Sequence, residues 1–326
     1  MNSRRTLLAH AAFAALALCF SAAAPAQAWP AKPIRVIVPF PPGGGTDLLT
    51  RQVAEKISAA TKWTLIIDNK PGAGGNIGLD ALAKSPADGY TLGMGQTANL
   101  AINPSLYSKM LFDAAKDFAP IGLVSAQPMV LVVAADSSYR SLADVVAAAK
   151  AKQDAVTMAS AGSGTVGHLA GELFARKVGV KFLHVPYKGA SPAVTDLLGR
   201  QVDIMFANTQ SVMTLVKSGK LRALAVSSAQ RVKALPEIPT IAESGYKDFE
   251  AVTWSGLVAP AGTPADIVAR LNAELAQVLG RADFLDKLAA EGSQPLGGSA
   301  QRFAEFLHAE QAKWGVAVRA SGAKVD

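Results

Sequence analysis

Short apolar strands alternate with helical patterns along almost the whole chain, and this alternation most restricts its fold. Residues 34–38, 64–67, 91–94, 121–124 and 129–134 read as strands. Residues 156–159, 182–185, 202–206, 221–226 and 255–259 follow the same style. The segments 121–124 and 129–134 are nearly continuous in apolar residues, as strands covered on both faces are. Between the strands the spacing becomes helical. Leu49, Val53 and Ile57 recur every four residues, and Ile267, Leu271, Leu275, Val278 and Leu279 mark one face of a later helix. Ser191-Pro192 and Thr263-Pro264 each place a capping residue before proline at a first helical position. Such alternation implies parallel sheets, which bind ligands beyond the carboxyl ends of their strands.

The N-terminus places the protein outside the cytoplasm. Arg4 and Arg5 precede an apolar stretch over residues 7–20, and Ala26-Gln27-Ala28 supplies a small-x-small cleavage site. Residues 1–28 therefore read as a signal peptide removed after Ala28. A membrane anchor would need about 20 apolar residues, and His10 interrupts this shorter run. Ser3-Arg4-Arg5-Thr6-Leu7-Leu8 resembles a twin-arginine signal, so either export route is open, and bulky Leu18 before Cys19 argues against a lipoprotein box. Cys19 is the only cysteine and leaves with the signal, so no disulfide, thiol nucleophile or thiolate metal site remains. Loss of Arg4 and Arg5 lowers the formal charge from +7 to +5, scattered rather than in a stripe. That excess suits acidic ligands and excludes a nucleic-acid footprint.

Two sheets fit the length that remains. The segments 127–135 and 251–260 read as crossings between a first lobe, built from both ends of the chain, and a second lobe inserted between them. The expected boundaries are residues 29–127 with 255–326 for the first lobe and 128–254 for the second.

Each lobe offers a strand, a glycine loop and a helix. Pro39-Phe40-Pro41-Pro42-Gly43-Gly44-Gly45-Thr46-Asp47 follows the first strand, with Thr46 or Asp47 available as a cap. Glycines let a ligand approach the backbone, and free N–H groups at the positive end of a helix suit a carboxylate or phosphate. In the second lobe Ser160-Ala161-Gly162-Ser163-Gly164-Thr165-Val166-Gly167-His168 satisfies G-x-G-x-x-G by the letter. The acidic residue a dinucleotide site needs about 20 positions on is missing, since that stretch reads His184-Val185-Pro186-Tyr187. The loop therefore reads as an anion cradle rather than a nicotinamide site. Lys188 in Tyr187-Lys188-Gly189 reads as a solvated loop lysine, with direct contact to an anion as the alternative. Polar loops 95–99 and 207–211 end two further strands.

Enzyme chemistry is poorly supplied. His168 and Glu172 share a helix face, but no third metal ligand is apparent, and a histidine bonded to a neighbouring loop is the simpler reading. Ser163 lacks the elbow of an α/β hydrolase. No cofactor and no metal are expected.

Trp29-Pro30-Ala31-Lys32-Pro33-Ile34-Arg35, the 39–47 loop, Asn69-Lys70-Pro71-Gly72-Ala73-Gly74-Gly75 and Ala87-Asp88-Gly89-Tyr90-Thr91-Leu92 follow one pattern. Pro186-Tyr187-Lys188-Gly189, Leu235-Pro236-Glu237-Ile238-Pro239-Thr240 and Pro260-Ala261-Gly262-Thr263-Pro264 continue it. In these the chain resembles the substrate-binding receptors of the tripartite tricarboxylate transporter family, the Bug proteins, over the whole mature length. The resemblance implies an α/β, two-lobe periplasmic binding protein of type II. Each lobe would be a mainly parallel sheet flanked by helices, with a small organic acid in the cleft. It implies backbone amides, hydroxyls and bridging waters as ligand contacts. Carried over by position, these come from Phe40, Gly44, Gly45, Thr46, Asp47 and Thr97 in the first lobe. In the second they come from Ser160, Gly164, Thr165, His168, Gly189, Ala190 and Asn208. A monomer is expected, with membrane transporter subunits or a sensor kinase as partners. The rival reading is an exported α/β hydrolase using Ser163.

Overall fold

Strand β1 (Ile34–Val38) is buried except at Arg35 and lies between β2 (Leu65–Asn69) and β3 (Thr91–Gln96), parallel to both. Its apolar run is what a strand covered by helices requires. Helix α1 (Gly45–Thr61) makes the first crossover, burying Leu49, Val53 and Ile57, and α2 (Asn76–Ala83) makes the second. The computed structural model describes residues 29–323 and 325; the signal peptide and its cleavage site lie outside the described residues.

After a wide helical turn over Ala98–Ile102 and the short α3 (Asn103–Leu106) comes β4 (Phe118–Ala134). It takes in both segments expected as separate strands, 121–124 and 129–134. From Phe118 to Pro128 it pairs antiparallel with β9 (Val252–Pro260). From Met129 to Ala134 it pairs antiparallel with β7 (Ile204–Asn208) and β8 (Leu221–Val226). One strand thus belongs to two sheets, and the partners change between Pro128 and Met129. The second sheet follows α4 (Leu142–Ala151). It is built from β5 (Thr157–Ser160), α5 (Val166–Val178), β6 (Leu183–Pro186), α6 (Ala190–Leu198), β7, α7 (Thr209–Lys217) and β8. Strand β5 is parallel to β6 and β7. Helices α8 (Ala265–Leu279) and α9 (Ala282–Ala290), strand β10 (Gln294–Pro295) and α10 (Ala300–Ser321) return to the first sheet.

The hydrogen-bonded path runs β2-β1-β3-β9-β4-β7-β5-β6. Both sheets are mixed rather than mainly parallel, because β4 and β9 run against their neighbours. Two expected caps are also displaced. Gly189, at φ 137°, caps α6, so Ser191 lies inside the helix; Pro264 caps α8, and the Thr263 hydroxyl donates to the Pro260 carbonyl at 2.8 Å.

In the core Phe174 of α5 meets the rings of Phe182, Phe206, Tyr246 and Phe249 at centroid distances of 5.2 to 6.4 Å. Helix α10 packs against β4, α3 and α5. Its Glu310 is buried, yet one carboxylate oxygen accepts from the indole N–H of Trp254 at 2.8 Å and of Trp314 at 2.9 Å. Among the described residues no helix is long and apolar enough to cross a membrane.

Candidate functional site

The glycine run after β1 is held by the residues around it. Gly44 takes the N-cap position of α1 without a side-chain bond, so neither Thr46 nor Asp47 caps by its own hydroxyl or carboxylate as expected. Asp47 works backwards instead. One of its oxygens accepts from the Gly43 N–H at 2.9 Å and from Arg51 Nε at 3.0 Å, the other from Asn69 Nδ2 at 2.9 Å. Burial opposes its charge, but the bonds from Arg51, Gly43 and Asn69 outweigh that and hold the carboxyl below its usual range. Asp47 fixes the loop and does not line the cavity between the lobes. Thr97 is equally occupied: its hydroxyl accepts from the Trp254 N–H at 2.8 Å and is fully buried. Its neighbour Gln96 reaches the loop, donating from Nε2 to the Thr46 hydroxyl.

The second-lobe loop is fixed in the same manner. Thr165 caps α5 and donates its hydroxyl hydrogen to the Gly162 carbonyl at 2.7 Å. The Gly162 N–H donates to Ser160 Oγ at 3.2 Å, and Gly164 N–H to His168 Nδ1 at 3.2 Å. That bond leaves the His168 proton on Nε2, 3.7 Å from Glu172 Oε1. His168 stacks on His184 with centroids 4.0 Å apart, and His184 Nε2 shares a 2.7 Å hydrogen bond with Ser160 Oγ. Burial, and then the neighbouring His184, hold His168 down to about 3; burial holds His184 down to about 4. Burial alone pushes the Glu172 carboxyl up. Both imidazoles are therefore neutral at pH 7, and Ser160, Gly164 and His168 stand behind the loop rather than at its open face.

The two lobes meet over these loops. The Gly45 N–H donates to Ser211 Oγ at 3.0 Å, the Ser191 hydroxyl to the Pro42 carbonyl at 3.0 Å, and the Tyr107 hydroxyl to the Ser163 carbonyl at 3.2 Å. Gly189 lies so close against Pro41 that a Cβ there would overlap the proline ring. Between the lobes a cavity remains. Of the sequence-derived residues, Phe40, Gly44, Gly45, Thr46, Thr165, Ala190 and Asn208 line it. Asp47, Thr97, Ser160, Gly164, His168 and Gly189 do not.

Residues that the sequence reading did not name as contacts complete the wall: Gln96, Met129, Ala161, Val166, Gly167, Met205, Phe206, Ala207 and Thr253. Gln96 and Ala207 fall in the polar strand-end loops 95–99 and 207–211 that the sequence marked, though neither was named as a contact. Met129 stands where β4 changes partners, a place no local pattern reveals. Four helices begin at this wall. Gly44, Gly45 and Thr46 open α1; Thr165, Val166 and Gly167 open α5; Ala190 starts α6; and Asn208 caps α7 through Ser211 N–H at 3.2 Å. The lining contains no charged side chain.

The chain is similar to proteins of known sequence and structure. Protein BugT of Bordetella pertussis is 37% identical over 326 residues, covering 100% of both chains. The solved structure described as R. palustris Rpa4515 with adipate superposes with a TM-score of 0.89 at 36% identity, covering 91% of this chain and 100% of that one. The periplasmic binding protein BugD gives a TM-score of 0.87 at 34% identity, covering 91% and 99%. A family model described as "Tripartite tricarboxylate transporter family receptor" matches residues 49–323, and the chain belongs to that receptor family.

Proposed function

We propose that this protein is a periplasmic solute receptor that closes its two lobes on a small mono- or dicarboxylate. The lobes are residues 29–127 with 255–326 and residues 128–254, with β4 and β9 as crossings. One observation carries this reading: the first turns of four helices open onto a single cavity that contains no charged side chain. First-turn N–H groups lack intrahelical partners, and each helix start favours an anion by about 0.3–1 kcal/mol. The ligand contacts are Phe40, Gly44, Gly45, Thr46, Thr165, Ala190 and Asn208, joined by Gln96. Rpa4515, of the same fold, was solved with adipate, a dicarboxylate. Delivery to membrane transporter subunits or to a sensor fits a receptor that is not an enzyme.

A thermal-shift screen of carboxylic acids against the mature protein tests this. At a hundredfold excess over the dissociation constant the ligand stabilises by about 2.7 kcal/mol, a shift of several degrees. Stabilisation by neutral sugars and by no acid would overturn the proposal. The hydrolase reading has one observation of its own, the 2.7 Å contact between Ser160 Oγ and His184 Nε2. Ser160 is fully buried and lines neither cavity of the cleft, so no substrate reaches it. Turnover of generic esters, abolished by changing Ser163, the serine on which that reading was placed, would favour it.

A further inference from the structure

The turn after α9 is anchored on the first lobe but packs against the second. Gly292 follows the helix at φ 75°; its N–H donates to the Ala289 carbonyl at 3.0 Å, and the Ser293 N–H to the Leu288 carbonyl at 2.8 Å. These paired bonds form a Schellman turn that fixes Glu291 at the helix C-cap. Ser293 Oγ donates to Gln127 Oε1 at 3.2 Å and β10 pairs with β4, which ties the turn to the first lobe. Helix α7 of the second lobe meets the turn at both its ends. The Lys217 ammonium donates to the Ala290 carbonyl at 3.0 Å, and Gln210 Nε2 to Glu291 Oε2 at 2.9 Å. The other carboxylate oxygen accepts from Gln52 Nε2 of α1 at 2.9 Å and lies 3.5 Å from Lys287 Nζ. One carboxylate thus joins α1 to α7, the helices that bring Gly45 and Asn208 to the cavity wall. Glu291 itself lines neither that cavity nor the second one, which adjoins it at Phe40 and Ala161. Gln52 Oε1 and Gln210 Oε1 are buried without a donor among the described residues. Each amide therefore loses hydration at one end to reach Glu291 with the other, and only a charged acceptor makes that exchange favourable.

Resting on the receptor reading above, we propose that Glu291 is a positioning residue, a latch that fastens α7 to α1 when the lobes close and so brings two helix starts to one ligand. It acts through Gln52 and Gln210 and touches no ligand itself. The dry amide oxygens offset the charged bonds, so the latch does not hold the lobes shut by itself. Its bond to Gln210 forms as the lobes meet, and its loss therefore speeds ligand release and leaves entry unchanged.

Calorimetry and stopped-flow kinetics test this with the acids that stabilise the protein in the thermal-shift screen, adipate, malate and succinate tried first. Glu291→Gln keeps the side chain's shape but sets an amide against two amides. It weakens affinity by about tenfold, the loss of one charge-assisted hydrogen bond, through faster dissociation with the association rate within about twofold of wild type. A carboxylate at a helix C-cap opposes the helix dipole, so the ligand-free variant melts close to the wild type. Gln210→Glu sets two carboxylates together and weakens affinity further. Combining Gln210→Glu with Glu291→Gln rebuilds a charged hydrogen bond between the same positions in the opposite direction, and affinity returns to within about threefold of wild type. A side chain that merely supports the turn would give no such recovery. Wild-type affinity in Glu291→Gln, a loss carried by association alone, or no recovery in the exchanged pair overturns the latch and leaves the receptor reading intact. If no acid in the screen binds the wild type, both readings fall.

Discussion

Gly45→Ala tests whether binding requires the lobes to meet. A Cβ on Gly45 would lie 2.7 Å from Asn208 Nδ2, 2.8 Å from Oδ1 and 2.9 Å from Cγ, across the cleft. Optimal carbon contacts begin near 3.5 Å, so the overlap is more than half an ångström. Asn208 cannot swing aside freely, because its Oδ1 accepts from the Ser211 N–H and hydroxyl while capping α7. Overpacking of this kind costs about 1–3 kcal/mol, which weakens ligand affinity by about five- to 150-fold. The cost falls on the closed form alone. Gly45 opens α1 with no positive φ, so with the lobes apart an alanine is tolerated and stabilises by about 0.4–1 kcal/mol. The ligand-free variant therefore melts no lower than the wild type while calorimetry shows the weakened affinity. Asn208→Ala removes all three overlapping atoms at the expense of a cap worth about 1 kcal/mol. The double variant should bind close to Asn208→Ala alone, a strong coupling across the cleft. Wild-type affinity in Gly45→Ala, or strictly additive losses, would refute a clamp that closes to bind.

Other outcomes follow from the same geometry. Gly44→Val abolishes acid binding without unfolding the protein: its Cβ has ordinary room, 3.6 Å from the Pro41 carbonyl oxygen, but the branches enter the cavity, as calorimetry and melting together show. Glu310→Ala strips the shared acceptor from two buried indoles and lowers stability by about 2–4 kcal/mol in urea titrations. Imidazoles of the unfolded chain titrate near 6.5, whereas folded His168 and His184 stay neutral down to about 3 and about 4. The unfolded state thus binds more protons as pH falls, so stability is full above about pH 6.5 and declines toward pH 4 by about 1.4 kcal/mol per pH unit per histidine. His184→Asn should roughly halve that slope in denaturation midpoints. Solution scattering should show a smaller radius of gyration when a saturating acid is added, and an unchanged profile would mean a preformed cleft.

The strands and helices were legible because their burial is periodic. Leu49, Val53 and Ile57 face the core as their spacing says, and β1 is buried as its apolar run demands. The unity of β4 was not legible, since Ser125, Gln127 and Pro128 interrupt the apolar pattern although the strand continues through them and all three are buried. Their burial depends on β9, whose residues lie more than a hundred positions away in sequence. The site divides in the same way. Gly44, Gly45 and Thr165 stand at helix starts, which sequence marks. Asp47, Ser160 and His168 carry the right chemistry at the right loops, yet their groups bond the backbone beside them. Sequence shows that a carboxylate or an imidazole is present in a loop; it does not show which way it turns.

That inward turning decides which amides remain for a ligand. Asp47 occupies the Gly43 N–H and Ser211 the Gly45 N–H, leaving Gly44 between them at the cavity wall. Ser160 and His168 occupy the N–H groups of Gly162 and Gly164, leaving Ser163 between them at the second cavity. In each loop the flanking amides are spent on rigidity, so on the receptor reading proposed above the central one would meet a ligand without reorganising, which lowers the entropic cost of binding. Asp47 adds a negative charge in the first turn of α1, where it stabilises the helix but competes with any anion for the positive helix end. Arg51, 3.0 Å away, offsets that charge. On the receptor reading, the cavity at the four helix starts would attract a carboxylate through oriented N–H groups rather than through a charged side chain.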